Sequence, residues 1–375
     1  MSQASNRKGL RGVAGLSIAA ALILTACSGG ETSSPGGTTA RTAKPKPGTP
    51  SQPGDPVGED PTDPTTPSTP GTNPTGPTGP VVMTTGDESW ADGKKLEASV
   101  TIAAGAKVEI APGAQITALP GVVITVLGTL KASSASKHAK ISGAGWAGIV
   151  VGSGGTMALD GVDMEGAGAG ITTKGGNTEA KYDNGTLKAT IPFSLEAGSK
   201  LSTTHAFASG GSSAVNGALT ASYLDYDKGS GAGLTMSDAN ASMSIEDSTL
   251  HGMGGGDYII SSQAKLLHLA YTVVSDSHCP FHFSGLTKFE MDHVTAKTSG
   301  YGSMLYLPDP GPHSITNSNF QTSASHDLEL TETGVQLTLD NVYLGGSNGT
   351  QNSVFKSAPT IKNKPTAAIA NASPR

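Results

Sequence analysis

Side chains able to hold a metal or move a proton are concentrated in one stretch of the chain. Six of the 9 histidines, His251, His268, His278, His282, His293 and His313, fall between positions 251 and 313. Within it, Ser277-His278-Cys279-Pro280-Phe281-His282 sets a thiol close to two imidazoles, donor types that suit zinc or copper. His278, Cys279 and His282 are one ligand short of a closed tetrahedral site, and neither a C-x2-C pair nor an H-E-x2-H spacing accompanies them. The competing expectation is that Cys279 packs with Phe281 and Phe283, as buried cysteines commonly do, and that no metal or other cofactor is bound. Carboxylates pair at Asp225 with Asp227 and at Glu246 with Asp247, and two suitably spaced carboxyl groups can cleave a glycosidic bond. Tyrosines form a third group. Tyr223, Tyr226, Tyr258 and Tyr301, with Tyr271, Tyr306 and Tyr343 behind them, are candidates for outward platforms on which sugar rings stack.

The elements that position these groups are not helices. The 375 residues include Gly 51 and Pro 23, and only 14% are charged and 5% aromatic. In a helix interior Gly costs about 1 kcal/mol and Pro about 3 kcal/mol against Ala. A formal net charge of -6 with scattered lysines excludes a basic nucleic-acid binder. An extended, turn-rich β protein remains.

A repeat supplies the strands. The hexads beginning at Leu159, Leu219, Ile245, Leu269, Met291, Ile315 and Leu339 share one pattern: apolar, two turn-like positions, small or apolar, then a larger apolar residue. From Leu219 onward they step by 26, 24, 22, 24 and 24 residues, while the gap of 60 after Leu159 hides a longer loop or an unrecognised repeat. A period in the low twenties indicates a solenoid. No recurring leucine frame or helical segment supports a leucine-rich repeat. Instead Phe289 and Met291 alternate inward with Glu290 outward, and Val294 and Ala296 turn inward again past a two-residue corner. Asp247, His293, Asn317 and Asn341 recur at the second corner position, and these residue types best tolerate positive φ. The expected fold is all-β, a parallel β-helix over 88–350, with 351–375 as a terminal cap or tail.

The run Thr101-Ile102-Ala103-Ala104-Gly105-Ala106-Lys107-Val108-Glu109-Ile110-Ala111-Pro112-Gly113-Ala114-Gln115-Ile116 resembles the opening coils of bacterial right-handed parallel β-helix proteins. Gly128-Thr129-Leu130-Lys131-Ala132 and Gly145-Trp146-Ala147-Gly148-Ile149-Val150 continue the likeness. It implies a right-handed, pectate-lyase-like solenoid; at about 24 residues per coil this gives roughly eleven coils, and at about 4.8 Å per strand a rod near 50 Å long. Many such folds cleave polysaccharides. Their lyases typically use an arginine base and an acidic calcium site, and polygalacturonases use clustered Asp with His and Arg-x-Lys. Here no arginine lies between 42 and 374, which removes the arginine-dependent versions of both. The expectation is a non-catalytic scaffold, with a polysaccharide lyase or hydrolase and a purely structural envelope protein as alternatives.

Location is read from the first residues. Arg7, Lys8 and Arg11 precede the apolar run Val13–Leu24, which is too short to span a bilayer and has the layout of a secretory signal. It ends in Leu24-Thr25-Ala26-Cys27, which resembles the lipobox of bacterial lipoproteins. The resemblance implies removal of 1–26, a diacylglycerol thioether and N-acyl lipid on Cys27, and stable anchoring by several acyl chains. Loss of the signal takes the net charge from -6 to -9. Residues 28–80 hold 13 of the 23 prolines among Thr, Ser and Gly, so 27–87 reads as a lipidated Cys followed by a disordered linker. The expected place is the cell envelope: outer membrane or cell surface, or the outer face of the plasma membrane in a single-membrane host. Expected partners are the bilayer through Cys27 and an extracellular or envelope polysaccharide or protein.

Overall fold

The computed structural model describes residues 80–229, 231–252, 258–263, 265–283, 288–298, 302–305, 310–322, 326–345 and 353–375. They contain strands and no helix, and form a parallel β-solenoid of about 11 turns. A strand generally pairs in parallel with the strand three places on in the chain, so each coil contributes to three faces. Face A begins with Val81–Thr84, Ser99–Ile102 and Val123–Val126. Face B begins with Glu88–Trp90, Lys107–Ile110 and Thr129–Ser133. Face C begins with Lys95–Leu96, Gln115–Ala118 and Ala139–Trp146. The long strands Val162–Thr173 and Thr186–Leu195 serve two faces, pairing with C in their first halves and with A in their second.

Alternation builds the core. Lys107–Ile110 and Gln115–Ala118 expose every second side chain and bury the next. Register then sets each inward residue over its counterpart in the neighbouring coil. On face B one row runs Trp90, Ile110, Ala132, Leu159, Tyr182, Thr203, Ala221, Ile245, Leu269, Met291, Ile315 and Leu339. Every member is buried. Full burial of one such aliphatic side chain stabilises by about 1.5–3 kcal/mol, and the row continues without interruption.

After three coils in which turns of four or five residues join faces B and C, the two faces meet at a corner made by one residue in left-handed conformation. Gly161, Asn184, His205, Tyr223, Asp247, Tyr271, His293, Asn317, Asn341 and Asn363 occupy it, with φ between 45° and 69°. The four residues expected there from their type are all at positive φ. A non-Gly residue in this region costs about 1–2 kcal/mol, and hydroxyls just beyond the corner offset part of it by hydrogen bonding. Ser248 Oγ accepts from Leu224 N–H at 3.0 Å and donates to Glu246 O at 2.6 Å. Ser318 Oγ repeats the arrangement with Val294 N–H at 3.0 Å and Thr316 O at 2.5 Å.

The structure settles one open alternative, in favour of unrecognised turns of the repeat, and corrects two expectations. The long gap contains two further corners, at Asn184 and His205, reached from Tyr182 and Thr203 rather than from leading aliphatics. The hexad read from Leu219 begins at Ala221, which pairs with Ile245. Strands have a period of two, so a shift of two leaves the inward face unchanged and hides the misalignment. Finally, the coil starts at Val81 rather than 88, and Val354–Phe355 and Thr360–Lys362 add a rung beyond 350. Replacing Leu269, in the middle of the inner row, by Ala should lower the unfolding free energy by about 2–5 kcal/mol in urea denaturation; a loss below about 1 kcal/mol would contradict its place there.

Candidate functional site

The single-residue corner stacks side chains as regularly as the core does. The rings of His205 and Tyr223 lie 4.5 Å apart at 13°, and those of Tyr271 and His293 lie 4.4 Å apart at 12°. Further along, Asn341 Nδ2 donates to Asn317 Oδ1 at 2.9 Å, and Asn317 Nδ2 donates to Asp292 Oδ1 at 3.0 Å. Between the two ring pairs stands Asp247, whose carboxylate receives Arg375. Nε and Nη2 of Arg375 donate to Oδ1 and Oδ2 at 3.0 and 2.9 Å, and its backbone N–H donates to Oδ1 at 3.2 Å. The guanidinium carbon lies 3.9 Å from the centroid of the Tyr271 ring. Upstream of it, Asn319 holds Ile369 by both backbone groups at 2.9 and 2.8 Å, and Thr295 Oγ1 donates to Ala372 O. Residues 365–375 thus run back along the coil from its last rung.

Face B carries the second feature, a shallow depression of about 410 Å³ lined by Thr156, Ala158, Glu179, Lys181, Lys200, Ser202, Ala218 and Thr220 among others. It crosses four successive strands, and the last two, Lys200–Thr204 and Ala218–Ser222, lead directly into His205 and Tyr223. Lys200 pairs with Glu179 at 3.4 Å and Lys181 with Asp183 at 2.7 Å. Lys200 and Glu179 are both exposed, so their pair contributes at most about 1 kcal/mol and these two charges can exchange partners for a ligand cheaply, whereas Asp183 is buried and also accepts from Thr204 N–H at 3.0 Å.

The residues singled out from sequence are dispersed by the alternation. Cys279 is buried in the strand Cys279–Phe283, whereas His278 is exposed and His282 sits on the outside against Tyr258, with ring centroids 5.3 Å apart. These three donors therefore do not converge. Among the described residues no group of three or more His, Cys, Asp or Glu is arranged to hold a metal. The other clustered histidines go elsewhere: His251 to Asp225 at 2.9 Å, His268 between Glu246 and Glu290 at 3.8 and 3.9 Å, His293 to the corner, and His313 into the core against Phe289 at 4.7 Å. Each carboxylate of the candidate pairs also has its own partner. Asp225 meets His251, Asp227 Oδ1 accepts from Gly229 N–H at 2.9 Å, Glu246 faces His268, and Asp247 is bound by Arg375.

Among the tyrosines, Tyr226 must be withdrawn as a platform: it is fully buried, and its hydroxyl bonds Gly211 O and Ser213 Oγ, both at 3.1 Å. The corner residue Tyr223 shifts the strand that follows by one place, which turns Tyr226 inward. Tyr223 is 44% exposed, but one ring face lies on His205. Tyr258 is half-buried. Tyr301, Tyr306, Leu24, Thr25, Ala26 and Cys27 lie outside the described residues. Sequence reading missed the aromatic corner column and Arg375 as its occupant. The signal is present once the hexad is shifted to Ala221, because corner positions then read Asn, His, Tyr, Asp, Tyr, His, Asn, Asn in order.

The Arg375 guanidinium holds the Asp247 carboxyl below the ordinary Asp value of 3.8. Since the folded value lies under the unfolded one, the contact contributes in full above about pH 4 and is lost as the pH falls through the lowered value. Carboxyl-carbon NMR titration should place Asp247 below 3.8, and Arg375→Ala should move it back up; an Asp247 that titrates identically in both proteins would contradict the contact.

No family model, curated protein or solved structure matches this chain.

Proposed function

We propose that the chain is a membrane-anchored, surface-displayed lipoprotein whose β-helix is a non-catalytic scaffold for binding a polysaccharide or protein of the cell envelope. The observation that supports it is the depression on face B. Its lining offers hydroxyls from Thr156, Ser202 and Thr220, with Lys181, Lys200 and Glu179 beside them, on strands fixed in register. A shallow surface crossing several rungs, with these hydroxyls and charges set among the apolar groups of Ala158, Ala218 and their neighbours, suits an extended ligand that offers both polar groups and apolar ring faces, and binding there requires little ordering of the protein. Chemistry is served less well, since the carboxylates and imidazoles are divided into separate pairings on different faces, His251 with Asp225 on one and His268 with Glu246 and Glu290 on another, away from the depression.

The N-terminal sequence supports the anchor. A short basic and apolar signal ending in Leu24-Thr25-Ala26-Cys27 precedes the Pro-rich linker. Near 3.1 Å per residue, a polyproline-like linker of this length could carry the rod up to about 150 Å from the bilayer. Acidic net charge would keep the rod off anionic headgroups. Ser28 follows the lipid site, in place of the Asp that marks inner-membrane retention in enterobacterial lipoproteins. The covalent lipid is the one non-protein group this reading requires.

Two experiments test the proposal. In its native host, Cys27→Ser should abolish incorporation of a labelled palmitate analogue and move the protein from the membrane to the soluble fraction; a labelled, membrane-bound Cys27→Ser protein would refute the anchor. On a glycan array and in polysaccharide pull-downs, purified 81–375 should retain at least one ligand, and Ser202→Trp, which fills the depression, should weaken it at least tenfold. Silence across the array would remove the sugar-binding reading.

A further inference from the structure

Arg375 is the single arginine among the described residues, and its side chain occupies a notch that the rod builds without it. His205, Tyr223, Tyr271 and His293 put a ring at each of four corners, and Asp247 alone interrupts them. The rungs of Tyr223 and Tyr271 are two strand spacings apart, about 9.6 Å, which leaves room for one planar group between them. Both rings are held by the rod itself, Tyr223 on His205 and Tyr271 on His293. The Asp247 side chain is 5% exposed and presents both oxygens to the slot. A carboxylate fork beside a ring face selects a planar guanidinium over an ammonium, because only the former can donate two parallel hydrogen bonds while lying flat on the ring.

The segment that delivers the arginine is held by hydrogen bonds at Ile369, Ala372 and Arg375 and buries little surface. Between Pro365 and Arg375 only Ala372 is buried, and the Arg375 side chain is 59% exposed. Segments with little buried surface open at small free-energy cost. A preformed notch and an occupant that buries little surface together describe a site whose internal ligand can be exchanged.

The geometry points to Tyr223, Asp247 and Tyr271 as a guanidinium-binding site, filled in cis by residues 365–375, that accepts in exchange an arginine from a basic partner protein. The acidic charge of the rod, -6 for the whole chain, favours a basic partner. This inference is independent of the depression on face B; a silent glycan array leaves it standing, and its own failure leaves the depression untouched.

The test uses full-length Arg375→Ala, which empties the notch, with the tripeptide Ser-Pro-Arg as probe, followed by NMR shifts of Tyr271 and His293. Binding should be at least tenfold tighter than to the wild-type chain, where Arg375 competes. It should fall at least tenfold in Asp247→Asn/Arg375→Ala, and at least tenfold when Ser-Pro-Lys replaces the probe. Asn is accommodated at this corner, as Asn317 and Asn341 show, so the fold is retained and circular dichroism checks it. Should Arg375→Ala fail to fold, the chain ending at Lys364 serves as the second background with the same readouts. Equal affinity for wild type and Arg375→Ala, or indifference to Asp247→Asn or to lysine, overturns the site. A wild-type dimer in sedimentation that Arg375→Ala dissolves overturns the partner, because the arginine of a second copy would then be the occupant.

Discussion

Parallel, in-register backbone pairing between successive coils is the constraint on which everything else in this molecule depends. Each strand of one coil hydrogen-bonds to its counterpart in the next, so a residue's neighbour along the rod is fixed by register alone. Inward positions become continuous apolar rows, and outward positions become rows of hydroxyls and charges. Corner positions become a column in which His stacks on Tyr and Asn donates to Asn. No disulfide is needed, because the same ladder that orders the columns also satisfies the backbone.

The corner shows how a local conformational cost is turned into a surface feature. One residue at positive φ bends the chain between faces B and C and sends its own side chain out over the edge. Repetition at successive coils from Gly161 onward aligns these side chains one strand spacing apart, close to the contact distance of stacked planar groups. A column of rings follows from the fold without any long-range design. A single departure from it, the short acidic Asp247, makes a slot that a guanidinium fits.

How legible this was from sequence differs by feature. Alternation and the spacing of Ile245, Leu269, Met291, Ile315 and Leu339 carry the solenoid, since buried rows demand recurring aliphatic residues. The coils reached from Tyr182 and Thr203 were obscured because core volume there is supplied by a phenol and a threonine, with the Tyr182 hydroxyl bonded to Val162 O at 2.8 Å. Asp247, His293, Asn317 and Asn341 were legible as corner residues from their types, whereas Tyr223 and Tyr271 were not, because tyrosine has no such preference and is tolerated through its stacking partner. The reading of Tyr226 as an outward platform failed for a related reason: one residue at positive φ inverts the facing of everything after it. The Arg375 contact joins positions 128 residues apart, and no local pattern encodes it.

Distances along face B test the stacked register most directly. Thr220, Ser244, His268, Glu290, Ser314 and Thr338 occupy one outward row, each one strand beyond the last. Spin labels on Thr220→Cys paired with Ser314→Cys should lie about 19 Å apart, and with Thr338→Cys about 24 Å, backbone to backbone, rising by about 4.8 Å for each rung. Separations that fail to grow with rung number would contradict the coil, and with it every column described above.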